Sequence, residues 1–295
     1  MSASISIVPN KEQFDIVCPK CSAVLETVAT QRAAWNRAPV ALDHICQTPP
    51  THINTSVTPK TWQQAQVWER DFWLREQRNL KKLGKNYIWK LLALLGRVEK
   101  YRGDDNNVWW AQQFDGYSFL PKSAENVIEV GCGPYTNVRL VRKACEPQHL
   151  FLSDPLIRTY KDFPMTMVRE LHQGAGAYFD DHPLEELPFR DSYFDVAVMI
   201  NVLDHVRDAH ACMDSLLRIL KPGGYVIVGQ DLTNEEDFRT HPEGMRTGHP
   251  IVLNAEWFNP YCARFEPVVN KVLSREQGRT PQWHHATFIF AGRKR

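Results

Sequence analysis

From residue 121 onward the chain alternates short apolar runs with amphipathic stretches. Asn126–Val130, His149–Ser153, Tyr193–Ile200 and Tyr225–Gly229 are apolar runs of strand length. Asn137–Ala144 between them has helical character, and Ala209–Leu220 places Met213, Leu216, Leu217 and Leu220 on one helical side. Two later runs, Pro267–Leu273 and Ala286–Ala291, finish the set of strands. Strand–helix alternation predicts an α/β fold, a parallel sheet joined by crossover helices.

Upstream the texture changes. Trp62, Ala65, Trp68 and Phe72 recur at helical spacing behind Thr61 and Gln64, a pair with the spacing of a capping box. A second helix is predicted from Tyr87 to about Lys100, with Ile88, Leu91, Leu92 and Leu95 on one face. Trp109, Trp110, Phe114, Tyr117 and Phe119 follow. Residues 59–120 therefore read as a helical, aromatic cap. Its large rings either pack the cap onto the main domain or, for a few of them, line an acceptor pocket. Residues 1–58 hold Cys18, Cys21, His44 and Cys46 and end in the turn-rich stretch Gln47–Pro59, which reads as a linker. The expected division is thus 1–58, 59–120 and 121–295.

Charge and composition narrow the function. A net charge of +1 over 295 residues lacks the basic excess with which nucleic-acid binders neutralise phosphates, so a nucleic-acid partner is the less favoured expectation. No stretch approaches the roughly 20 apolar residues that cross a bilayer, so no membrane partner is expected. Met1–Asn10 has neither a basic start nor an apolar block, and the seven cysteines are an odd set. Together these predict reduced thiols and a cytoplasmic protein.

The most informative segment is Val127-Ile128-Glu129-Val130-Gly131-Cys132-Gly133-Pro134, a strand that runs into a glycine turn ahead of a helix. Glycines let the backbone turn tightly and approach a ligand closely, and the helix start offers free N–H groups to a negative group. Asp154, about 20 positions after the turn, is spaced to accept hydrogen bonds from ribose hydroxyls, which points to a nucleoside-type cofactor. The plainer reading of Asp154 is a helix cap or turn residue.

Four segments in order give a resemblance. Glu129-Val-Gly-Cys-Gly-Pro is similar to motif I of the class I S-adenosylmethionine-dependent methyltransferases, of the type-11-like domain. Leu187-Pro188-Phe189 with Ser192-Tyr193-Phe194-Asp195-Val196, then Asn201-Val202-Leu203-Asp204-His205-Val206, then Arg218-Ile219-Leu220-Lys221-Pro222-Gly223-Gly224, resemble its later segments. The resemblance covers about Asn126 to Asp231. It implies a Rossmann-like, seven-stranded, mostly parallel sheet with helices on both faces, and S-adenosylmethionine as cofactor. It also implies that Glu129, Gly131, Cys132 and Gly133 surround the methionine end, Asp154 the ribose and Leu184 the adenine, with Asn201 among the cofactor contacts. Two departures stand out. Tyr135 occupies the family's third glycine, which calls for a wider turn or a displaced helix. Pro183 stands where an acidic residue is frequent, so Asp181 reaches the adenine only if the loop is longer.

Methyl transfer needs alignment, and a hydroxyl acceptor benefits from a base. Asp204 and His205 after the fourth strand, and His249 in the loop after the fifth, are the expected catalytic residues; each histidine otherwise reads as a structural or solvated loop residue. The family's Pro-Pro-Tyr-type amino-methylation segment and Pro-Cys nucleophile are both missing after the fourth strand. Cys18-Pro19-Lys20-Cys21 resembles a zinc knuckle, with His44 and Cys46 as the remaining ligands of a structural zinc, or else two free thiols in a turn. The leading expectation is methylation, on oxygen, of a small-molecule or sugar-containing acceptor. The rivals are an RNA methyltransferase with a zinc module, and a module that binds the cofactor without turning it over.

Overall fold

The structure is a computed structural model that describes residues 6–10, 13–17, 24–28, 53–84, 104–163, 166–174, 176–240 and 245–295. The chain divides into two units, Met1–His52 and Ile53–Arg295. In the first, β1 (Ser6–Asn10), β2 (Gln13–Val17) and β3 (Val24–Val28) pair as an antiparallel meander. Cys18 and Cys21 fall between β2 and β3 in sequence. They, His44 and Cys46 all lie outside the described residues, as does the helix expected from Tyr87 to Lys100.

The second unit begins with helix α1 (Pro59–Gly84). Its cap is Thr58, whose hydroxyl accepts from the Thr61 amide at 3.2 Å, rather than the expected Thr61. Pro59 explains the shift, since proline suits the first helical position and needs no N–H partner there. Helix α2 (Asp104–Gln113) follows. The sheet strands are β4 (Ser123–Val130), β5 (Glu146–Ser153), β6 (Tyr178–Asp180), β7 (Phe194–Ile200), β8 (Leu220–Leu232), β9 (Phe265–Ser274) and β10 (Ala286–Lys294). The intervening helices are α3 (Val138–Ala144), α4 (Ile157–Asp162), α5 (Met167–Gln173), α6 (Ala209–Ile219), α7 (Glu235–Thr240) and α8 (Met245–Gly248).

These strands form one seven-stranded sheet in the order β6-β5-β4-β7-β8-β10-β9. The first five are mutually parallel and β10 runs antiparallel to both its neighbours. Both faces are covered, which is why the strands read as unbroken apolar runs. Ile128 and Val130 of β4 and Met199 of β7 pack one core with Leu216 of α6. Val127, Val196 and Val198 pack the other with Phe114 and Val141. The strand order reverses between β4 and β7, so a crevice opens at their carboxyl ends, where open α/β sheets bind ligands. No helix among the described residues is long and apolar enough to cross a membrane.

The turn between β4 and α3 has a left-handed φ at Thr136 (+29°) and at two glycines, Gly131 at +61° and Gly133 at +55°. The two glycines are unequal. A Cβ on Gly131 would stand 2.5 Å from the Val202 methyl groups, whereas one on Gly133 would meet nothing within 4 Å. Gly131→Ala should therefore lower stability by about 2 to 4 kcal/mol, the sum of backbone strain and overlap, and Gly133→Ala by only about 1 kcal/mol. Urea denaturation of the two variants checks this ordering; equal losses would contradict it.

Candidate active site

The turn is held from below by Glu129, 1% exposed at the end of β4. Its carboxylate accepts from the Thr136 hydroxyl, the Asn137 amide and side chain (both 2.9 Å) and the Val138 amide (3.1 Å). The first helical N–H groups of α3 thus find a partner that the local sequence, with no side-chain cap at Asn137, does not supply. Burial pushes the Glu129 carboxyl above its usual range, against the pull of these hydrogen bonds. Glu129 departs from the expectation of a cofactor contact: it faces the loop and is not among the residues lining the cavity.

Asp154 ties the turn to the end of β5. Its carboxylate accepts from the Gly133 amide at 3.0 Å and the Leu156 amide at 2.8 Å. It is buried yet lines the cavity. Burial pushes its carboxyl up to about 6, opposed by those two amides. Cys132 beside it is buried, and burial with the nearby Asp154 and Glu129 carboxylates keeps its thiol well above the ordinary range. It is therefore a neutral thiol and no nucleophile.

The turn after β7 is positioned from β8. Asn201 has φ +57°, and its side-chain oxygen accepts from the Asp231 amide at 3.0 Å. Gln230 accepts from the Val202 and Leu203 amides at 3.2 and 2.9 Å. That fixes the start of the segment carrying Asp204 and His205. His205 Nδ1 lies 2.8 Å from the Gly248 carbonyl, which can only accept, so Nδ1 carries a proton, and in the neutral ring the lone pair is on Nε2. His205 Nε2 lies 3.7 Å from Asp204 Oδ1, and His249 Nε2 3.7 Å from Asp204 Oδ2. The two imidazoles pack with centroids 4.4 Å apart. Burial disfavours the His205 cation, but the Asp204 and Glu69 carboxylates outweigh it and raise its pKa. Burial pushes Asp204 up, and the two histidines bring it below its usual value. The three expected catalytic residues, two adjacent in sequence and the third distant, are thus one cluster.

Helix α1 completes the cavity, which measures about 500 Å³. Trp62, Trp68, Phe72 and Trp73 line it, with Trp110 of α2. Trp68 packs so closely on Gly248 that a Cβ there would stand 2.1 Å from the ring, and it meets His249 edge-on at 5.3 Å. Gln66 donates to the His205 carbonyl at 3.3 Å. Tyr135, in the place of the third glycine, is where the cap grips the turn. Its hydroxyl accepts from Gln77 at 2.8 Å, and Asn107 donates to the Tyr135 and Thr136 carbonyls at 3.0 and 2.9 Å. Helix α3 starts at Val138, with Asn137 as its cap.

Gly131, Cys132, Gly133, Asp154, Leu184, Asn201, His205 and His249 all line this cavity, whereas Asp204 sits just behind it. Asp181 does not line it; it pairs with Arg158 at 2.5 Å instead. The sequence reading did not identify Glu69 of α1, nor Arg279, Trp283 and His284 from the loop between β9 and β10, all of which line the cavity. That loop is held by Asp237 of α7, which pairs with Arg275 at 2.7 Å and accepts from the His285 amide at 3.1 Å. Arg279 in turn pairs with the buried Asp231 at 3.0 Å.

The cavity fits S-adenosylmethionine. Its volume lies in the range of small-molecule sites. The open space beside Gly133 leaves the backbone approachable, and the Asp154 carboxylate faces the same space. Residues 128–228 match the family model of a methyltransferase domain. The ubiquinone/menaquinone biosynthesis C-methyltransferase UbiE of Vibrio vulnificus strain YJ016 is 46% identical over 108 residues, 36% of this chain and 41% of that protein. An uncharacterized methyltransferase of Schizosaccharomyces pombe is 28% identical over 115 residues, 36% of this chain and 39% of that one. The chain thus spans about two fifths of the length of the curated relatives it matches. Among solved structures, the N-methyltransferase NodS of Bradyrhizobium japonicum WM9, in complex with S-adenosyl-L-homocysteine, is similar at TM-score 0.45. It is 15% identical and covers 64% of this chain and 86% of its own. Sheet order, glycine turn and family match agree that residues 128–228 form a class I, S-adenosylmethionine-dependent methyltransferase domain.

Proposed function

We propose that the protein transfers a methyl group from S-adenosylmethionine to a hydroxyl of a small-molecule or sugar-containing acceptor. One observation carries the reading: His205 and His249, with Asp204 behind them, line the same cavity as the glycine turn and Asp154. When bound, the cofactor supplies an electrophilic methyl group on a sulfonium. The chain would do the rest. The Gly131–Gly133 backbone and Asp154 would hold the cofactor, and the α1 aromatics would exclude water. In its neutral form His205, with Nδ1–H given to the Gly248 carbonyl, would accept the acceptor's hydroxyl proton at Nε2. The ring wall also suits an aromatic acceptor. Because the UbiE relatives are named C-methyltransferases, a carbon of a hydroxylated ring is the second reading. Zinc at Cys18, Cys21, His44 and Cys46 is a separate proposal resting on sequence alone.

Three measurements test this. Purified protein given methyl-labelled S-adenosylmethionine and fractionated extract should put label into low-mass, nuclease-resistant material; label in nuclease-sensitive polymer would favour an RNA acceptor instead. In the same assay His205→Gln should lower turnover about 10² to 10⁴-fold, as for loss of a general base, with cofactor affinity unchanged. NMR of the labelled product separates the O-methyl from the C-methyl outcome.

Cofactor affinity should depend on Asp154. The carboxylate, the form that accepts from ribose, gives way to the neutral acid as pH falls through about 6. Calorimetry should therefore show binding about tenfold weaker at pH 5 than at pH 7, and Asp154→Asn should flatten that dependence. Metal analysis should find one zinc per chain, lost in Cys18→Ser, if the N-terminal reading holds.

A further inference from the structure

We propose that Asp204, His205 and His249 form a three-ligand site for a divalent transition cation, facing the acceptor end of the cavity. The ligand atoms of the three side chains all lie within 4.8 Å of one another. Each of the two His–Asp contacts is 3.7 Å, too long for a hydrogen bond. Donors about 2.1 Å from one cation stand about 3.0 Å apart at a right angle and about 3.4 Å apart at the tetrahedral angle. Closing on an ion would shorten each His–Asp contact by about 0.3 to 0.7 Å, and the widest pair of donors, within 4.8 Å, by more.

Three further observations point the same way. Asp204 is 5% exposed, and its Oδ1, the oxygen facing His205, accepts no hydrogen bond among the described residues. A buried carboxylate oxygen without a donor is costly unless a cation meets it. His205 already has the outer hydrogen-bond partner common to metal-bound imidazoles: Nδ1–H donates to the Gly248 carbonyl, and Nε2 lies 3.7 Å from Asp204 Oδ1. The two imidazoles stand with ring centroids 4.4 Å apart, and each offers a nitrogen to the cluster.

Two imidazoles and one carboxylate are an N/O donor set suited to manganese, iron, cobalt or zinc, with open positions left for other ligands. Both imidazoles also line the cavity. On the reading given under Proposed function, which this part of the inference rests on, the acceptor's hydroxyl takes one open position. The cation would then lower the pKa of that hydroxyl, whose proton leaves to water, so that no imidazole base is needed. An imidazole cannot serve both roles at once, so the two accounts are separable.

The test uses the full chain, stripped with EDTA and titrated with Mn²⁺. Manganese is chosen because thiolates, such as those near the N-terminus, prefer softer ions. Electron paramagnetic resonance should show one Mn²⁺ bound per chain. Asp204→Asn and His249→Gln should each weaken binding at least tenfold, while His182→Gln, elsewhere on the cavity wall, should not. Thermal melting and cofactor calorimetry verify that each variant is folded. No bound Mn²⁺, or binding unchanged in both variants, overturns the cation site. If that happens while methyl transfer persists in EDTA, the imidazole-base reading survives. If Mn²⁺ binds at the cluster but no acceptor is ever methylated, the cation site stands and the transfer reading falls.

Discussion

Four hydrogen bonds converge on the buried carboxylate of Glu129, and the cavity exists in its present shape because they do. The turn after β4 must leave the sheet, pass two left-handed glycines and start a helix whose first N–H groups point inward. Unsatisfied, each of those groups would cost about 1 to 3 kcal/mol. Glu129 answers several at once from beneath the turn. Asp154 then ties the turn to β5 from the cavity side. Two acids thus divide the labour: one builds the turn, and the other is left facing the ligand space.

The second constraint is the hold of α1 on the sheet. Gln77 grips Tyr135 at one end of the cavity, and Trp68 lies on Gly248 near the other. Helix α1 thereby spans the turn that faces the cofactor space and the loop that carries His249. A tyrosine in place of a glycine looks like a loss when the motif is considered alone. Within the fold it is the residue through which the cap and the turn are joined. The close packing of Trp68 leaves room for glycine and nothing larger at position 248, so the approach of α1 and the placement of His249 are one arrangement.

Much of this was legible in the residues. Strands covered on both faces are uninterrupted apolar runs, so β4, β5, β7 and β10 stood out. Asp204, His205 and His249 stood out because α/β sheets place their chemistry at strand ends. Other features carry little local signal. Strand β6 is three residues at the sheet edge and depends on its neighbour β5 for definition. Thr58 caps α1 because Pro59 starts the helix, a preference that the Thr61–Gln64 spacing masked. Arg279, Trp283 and His284 reach the cavity only because Asp237 and Asp231 fold back the loop between β9 and β10, a long-range contact that no short pattern encodes. The inward face of Glu129 is likewise a property of the closed turn.

The account stands on one spatial claim: a single cavity joins the glycine turn and Asp154 to the Asp204–His205–His249 cluster. A crystal structure with S-adenosylhomocysteine tests it most directly. The account predicts a ribose on Asp154, the amino-acid end against the Gly131–Gly133 backbone, and the sulfur directed toward His205 and His249. A ligand bound elsewhere, or one whose sulfur faces away from those histidines, would contradict it.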